Sequence, residues 1–139
     1  MVLCLLIKCC SQSWSSRFLY VDTFKVLSKI RKFECILYGH ASPSELDTLE
    51  SHLSEGMKID ALYTEFPGNP LLSSPDLERL HHLSIQHDFL LVVDDTIATS
   101  INVALFPYCD IICTSLTKMW SGACNVRNCS IFYSYHLPY

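Results

Sequence analysis

FLLVVDD, residues 89–95, decides the fold of this chain. Five apolar residues run without a polar break and stop at an acid. A half-exposed strand would alternate polar and apolar positions. A continuous run suits a central strand of a parallel sheet, covered on both faces. Parallel strands need long crossover connections, commonly helices, so helical patterns should flank the run. Upstream, Ser74 and Pro75 open a helix over about 76–87, with Leu77, Leu80 and Leu83 as its apolar mass. Downstream, after Pro107, CDIIC at 109–113 reads as another buried strand, followed by TSLTK.

Earlier segments repeat the alternation. DTFKVLSKIRK, residues 22–32, sets Phe24, Leu27 and Ile30 on one helical stripe beside Val26, with Asp22 or Thr23 able to cap its start. FECILY, 33–38, reads as a short strand. After a turn at 40–43, Ser42, Pro43 and Glu45 form an N-cap, a first-turn proline and a reciprocal capping box. That helix carries Leu46, Leu49 and Leu53, runs to about Ser54 and ends at Gly56. Residues 59–66 are the next strand, and PGNP at 67–70 must leave regular structure. The order helix, strand, helix, strand, helix, strand, linker, strand predicts an α/β fold, a mostly parallel sheet in three layers. Residues 1–16 fit no element of this pattern and are set apart as an atypical N-terminal segment.

With 139 residues the chain is one ordinary domain in length. Half its residues are apolar and 17% charged, which excludes global disorder. The net charge of -4 and the lack of a basic stripe argue against nucleic acid as a partner. The local run Lys29, Arg31 and Lys32 reads as the solvated end of a helix. Eight cysteines are many. No C-x2-C pair or completing histidine set makes a zinc site, so buried reduced thiols in an intracellular protein are expected. The opening apolar run, residues 2–7, is too short for a signal peptide and lacks a basic flank. No stretch approaches the roughly 20 apolar residues of a membrane span. A cytoplasmic protein without a membrane partner is the expectation.

In open α/β sheets ligands bind outside the carboxyl ends of the strands. Glu65 and Asn69, Asp94 to Thr96, and Ser115, Thr117 and Lys118 fall at those ends. Asp94 can pair with a protonated ring nitrogen, hold a metal or cap its own loop. Asp95 must point elsewhere, because successive strand side chains alternate. Ser115, Thr117 and Lys118 can surround a phosphate. A desolvated lysine there can attack a carbonyl; equally, Lys118 can be a plain surface lysine. A nucleotide-hydrolysing site is disfavoured by the absence of any G-x-x-x-x-G-K loop, and a dinucleotide site by the lack of a glycine fingerprint. His81 and His82 are adjacent and do not form an H-E-x-x-H zinc pair.

Three ordered segments then carry a family resemblance: EFPGNPLLSSPDL from Glu65, VVDDTIATSINVALFPYCDII from Val92, and TSLTKMWSG from Thr114. Together they resemble the cystathionine gamma-synthase family of pyridoxal-phosphate-dependent transsulfuration enzymes, most of all its fungal branch. The resemblance covers about residues 18–135. It implies part of the large domain of a fold-type I transferase, with residues 17–139 lacking that domain's N-terminal part and the C-terminal domain. It implies pyridoxal 5'-phosphate as cofactor. Lys118 matches the lysine that holds it and Asp94 the acid at the pyridine nitrogen. Ser115 and Thr117 match the phosphate-side hydroxyls, and Asn69 the asparagine near the ring and the substrate carboxylate. Tyr20, in YVDT, resembles the tyrosine that stacks on the ring and aids proton transfer. The family reaction joins an O-acylhomoserine to cysteine, a step toward methionine. It implies a small amino-acid substrate and homo-oligomeric relatives.

The chain departs from that pattern in three ways. Residues 1–17 contain no glycine, where the family has a glycine-containing phosphate loop. Where members read close to NVMGG, residues 125–129 read NVRNC, replacing two flexible positions by Asn128 and Cys129. The C-terminal domain, with an arginine for the substrate carboxylate, is missing. A catalytically inactive remnant of the family is therefore the competing expectation. A sheet ending near Ile131 would also leave an unpaired edge.

Overall fold

The computed structural model describes residues 4–8, 21–38, 42–119 and 129–133. Within them lies a six-stranded sheet of order β2-β1-β3-β4-β5-β6. Its strands are β1 (Cys4–Lys8), β2 (Glu34–Tyr38), β3 (Ala61–Glu65), β4 (Leu90–Asp94), β5 (Ile111–Ser115) and β6 (Cys129–Tyr133). The centre, β3, β4 and β5, is parallel. β1 runs antiparallel to both β2 and β3, and β6 antiparallel to β5. Four of the six strands thus share one direction, as the α/β reading expects.

Two helices cover one face, α2 (Pro43–Ser54) and α3 (Leu77–His87). Both caps expected for α2 are present: the Ser42 side chain accepts from the Glu45 N–H, and the Glu45 carboxylate accepts from the Ser42 N–H. Gly56 follows in a left-handed conformation, φ +99°, which only glycine adopts without cost. On α3 it is Asp76 that caps, its carboxylate accepting from the Arg79 N–H, rather than Ser74. Leu46, Leu49 and Leu53 of α2 and Leu77, Leu80 and Leu83 of α3 pack on Leu62, Leu91, Val93 and Ile112 of the sheet. Arg79 ties the two helices on their outer side, at 2.7 Å from Asp47 and 2.5 Å from Glu50.

The opposite face is thinner. α1 (Val21–Lys25) passes directly into a π-helical turn, Val26–Ile30, in which the Arg31 N–H reaches the Val26 carbonyl five residues back. Phe24 and Leu27, with Leu37 and Val92, pack against Cys35 and Tyr63. The wider turn carries Ile30 out of the expected stripe, leaving it 70% exposed. Helix, sheet and helix pair make the three layers.

Further expectations need correcting. Cys4–Lys8 lies within the segment set apart as fitting no element, yet β1 sits between β2 and β3, with Leu6 opposite both Ile36 and Leu62. β5 starts two residues later than expected: Cys109 belongs to the connection, its thiol donating to the Leu105 carbonyl. The central run is not covered evenly on both faces, since Leu91 and Val93 are fully buried while Leu90 is 50% exposed. Among the described residues no helix is long and apolar enough to cross a membrane, and no group of side chains could hold a metal ion. Cys35, Cys109 and Cys113 form no disulfide. Burial raises the Cys35 thiol and, with help from Asp110, pushes Cys109 up to about 12, so both are poor nucleophiles. β2 and β6 are the sheet's outer strands.

Candidate functional site

The parallel pairing of β3, β4 and β5 sets one row of residues at the carboxyl end of the sheet: Glu65 opposite Asp94, and Asp94 opposite Cys113. These three side chains share a face, because paired residues in register point the same way. Beyond them opens a cavity of about 600 Å³, within the range of small-molecule sites, roughly 300–1,000 Å³. Asn69, Asp94, Thr96, Ser115 and Lys118 line it, together with Glu65. Four of the residues singled out from the sequence, Asn69, Asp94, Ser115 and Lys118, therefore meet in one space. Thr117 is half-buried and is not among the lining residues. Tyr20 lies outside the described residues, as do 125–128. Thr23, close to Tyr20 in sequence, does line the cavity.

Asp94 is held at both carboxylate oxygens. The Thr96 N–H donates to Oδ1 at 2.9 Å, and the Tyr63 hydroxyl donates to Oδ2 at 3.1 Å. A carboxylate offers about four acceptor positions, so about two remain beyond these bonds on a residue that lines the cavity. Tyr63 is the residue that sequence reasoning missed. It lies two positions before Glu65 on the same face of β3, a spacing visible in the sequence. Its partner, 31 residues away, was not. Burial, then the charge of Asp94, drives its phenol well above the ordinary value, so it stays a hydrogen donor.

Thr96 also joins Asp94 to the lysine segment. Its Oγ1 accepts from the Ser115 N–H at 2.9 Å. Ser115 ends β5, and α4 (Leu116–Met119) begins at once, presenting an exposed Lys118 at the cavity. No described residue forms an ion pair with Lys118. On the other wall, PGNP is a self-bonded loop: the Gly68 N–H donates to the Ser73 carbonyl at 2.9 Å, and the Leu72 N–H to the Gly68 carbonyl at 2.8 Å. Asn69 is exposed at its tip.

Asp95 points away from the cavity, as strand alternation required. It is 1% exposed and accepts a short hydrogen bond from the Thr114 hydroxyl. Burial raises its carboxyl above 3.8; the Thr114 bond opposes that, and the charge of Asp94 adds to it. The sign for stability follows. The unfolded chain releases this proton first as pH rises, so stability from Asp95 is full below the ordinary carboxyl value. It is then lost as pH climbs to the raised native value. Asp95→Asn, whose amide oxygen can still accept from Thr114, is expected to raise the thermal midpoint at about pH 7 and leave it unchanged near about pH 3. Melting curves at the two pH values check this; an equal change at both would refute it.

Comparisons with known proteins point one way. The family described as "Cys/Met metabolism PLP-dependent enzyme" matches residues 1–131. A cystathionine gamma-synthase of Neurospora crassa is 50% identical over 109 residues, covering 78% of this chain and 18% of that protein. A cystathionine gamma-synthase-like enzyme of Amanita muscaria is 44% identical over 121 residues, covering 82% and 20%. The chain therefore spans about a fifth of the length of these relatives. Among solved structures, cystathionine gamma synthase from Xanthomonas oryzae pv. oryzae superposes with a TM-score of 0.69 at 22% identity, covering 84% of this chain and 29% of that one. An O-acetylhomoserine (thiol)-lyase from Campylobacter jejuni gives 0.66 at 22% identity, covering 85% and 29%. At that identity the two structures speak for the fold.

Proposed function

Because the chain belongs to the Cys/Met metabolism family of pyridoxal-phosphate-dependent enzymes, we propose that its cavity holds pyridoxal 5'-phosphate for a transsulfuration of the cystathionine gamma-synthase kind. The substrates would be an O-acylhomoserine and cysteine. The observation that carries this reading is the meeting of an amine, a carboxylate and a hydroxyl, Lys118, Asp94 and Ser115, in one cavity at the carboxyl ends of parallel strands.

The donor set suits that group. Asp94 keeps acceptor capacity free beyond its bonds to Tyr63 and Thr96, so it can hold a proton on a pyridine nitrogen. Ser115 offers a hydroxyl to a phosphate, with Thr117 following it in the same segment. Lys118, unpaired among the described residues, supplies the amine that anchors an aldehyde. The Lys118 amine would also be the group that takes the proton from the substrate α-carbon. Asn69, exposed at the loop tip, would lie near the cofactor ring and the substrate carboxylate, and Tyr20 would stack on the ring and aid proton transfer. When bound, the cofactor supplies an electron sink for charge developing at that carbon.

The test is chemical. The chain is incubated with pyridoxal phosphate, reduced with borohydride and mapped by peptide mass spectrometry. The expected result is one added pyridoxyl phosphate on the peptide containing Lys118. Labelling spread over surface lysines such as Lys29 and Lys58 would overturn the reading. A second reading, a catalytically inactive member of the family, is favoured by NVRNC at 125–129, where the resembled family reads close to NVMGG. It predicts the same labelled peptide with no cystathionine formed.

A further inference from the structure

We infer that Tyr63 is a positioning residue: its phenol fixes the Asp94 carboxylate so that the free lone pairs face the ring nitrogen of a pyridine cofactor. The inference rests on the cofactor reading above and adds a residue to it.

The sequence places a tyrosine inside a strand whose neighbours, ALYTE, suit a half-buried sheet position. In the parallel register Tyr63 lies opposite Val92, so Asp94 is two residues further along the same face. A short side chain at 63 could not span that step; the phenol does, at 3.1 Å. The ring itself is fixed. Tyr63 is 8% exposed and packs with Cys35, Phe24, Leu27, Leu37 and Val92. Its polar end meets Oδ2 of Asp94, and it is Asp94 that lines the cavity. The other oxygen, Oδ1, is held by a backbone N–H that no side-chain change removes. The carboxylate is thus set between one donor of the main chain and one of a side chain, leaving it little rotational freedom. Desolvation of the phenol keeps the donated proton on Tyr63.

Tyr63→Phe deletes the hydroxyl and retains the packing. The probe is pyridoxamine 5'-phosphate, which has no aldehyde and so reads the ring contacts apart from Lys118. It is compared with a benzene analogue that carries the same phosphate arm and no ring nitrogen. By calorimetry on the full 139-residue chain, Tyr63→Phe is expected to bind pyridoxamine phosphate about tenfold more weakly, as loss of one hydrogen bond to a charged group implies. The benzene analogue is expected to bind both proteins equally. In an Asp94→Asn background the Tyr63→Phe effect is expected to vanish, because the two residues act as one unit. An unchanged affinity for pyridoxamine phosphate, or an equal loss for both ligands, would overturn the positioning role and leave the cofactor reading standing. Failure of the unsubstituted chain to bind pyridoxamine phosphate would remove both.

Discussion

Lys118→Ala is expected to abolish borohydride-trapped pyridoxyl phosphate on the chain while leaving its thermal midpoint almost unmoved. Lys118 is exposed, stands near the end of a four-residue helix and has no ion-pair partner among the described residues. Surface substitutions of that kind change stability by about 0.5 kcal/mol or less, a shift of a few degrees at most by the usual scaling. The chemical effect is all or nothing, because among the described residues no other lysine lines the cavity. Pyridoxamine phosphate, which needs no amine, should still bind Lys118→Ala. Mass spectrometry and melting on the same sample separate the two effects. Undiminished labelling in the variant would show that some other amine carries the cofactor.

Leu91→Ala is the counterpart in the core. Leu91 is 0% exposed on β4, packed between the sheet and the α2–α3 layer. Truncating a buried leucine costs about 2–5 kcal/mol, part lost transfer energy and part cavity. Typical domains have only about 5–15 kcal/mol in total, so the variant should unfold at much lower denaturant. Its neighbour Leu90 has the same chemistry but is 50% exposed on the other face. Leu90→Ala should cost about 1 kcal/mol or less, in line with its smaller buried area. Urea unfolding of both variants checks the pair. Equal costs would mean that the two faces of β4 are covered alike, contrary to the observed burial.

That contrast also marks where sequence reading stops. FLLVV announced a central strand because five apolar residues in line fit little else. Yet a run with no polar member has no phase, so nothing in it says which leucine faces α2 and α3. Ser42, Pro43 and Glu45 were legible because a capping box is local chemistry, complete within four residues. β1 was not legible. Its place depends on pairing with β2 and β3 far along the chain, while CLLIK by itself is only a short apolar run. Ile30 was misplaced because a stripe drawn at 3.6 residues per turn fails where the helix widens to a π turn.

The candidate site divides in the same way. Asp94, Ser115, Lys118 and Asn69 were found from strand ends and motif order, and they share one cavity. Asp95 was set apart from Asp94 by alternation alone, and its bond to Thr114 agrees. Tyr63 escaped notice since an aromatic within a strand usually means core, and its ring is core; only the hydroxyl at its end is not. Thr96 was noted at a strand end, but its link to Ser115 depends on the register of β4 and β5.

The row Glu65, Asp94 and Cys113 has a consequence for how the protein is made. Each of its members is delivered by a different strand, and Cys113, with Lys118 just after it, is made after the other two. Chains emerge from the ribosome at about 5–20 residues per second, N-terminus first. A vitamin-derived ligand captured by Lys118 therefore meets strands β1 to β4 already made. It can stabilise those strands by mass action, but it cannot template their emergence.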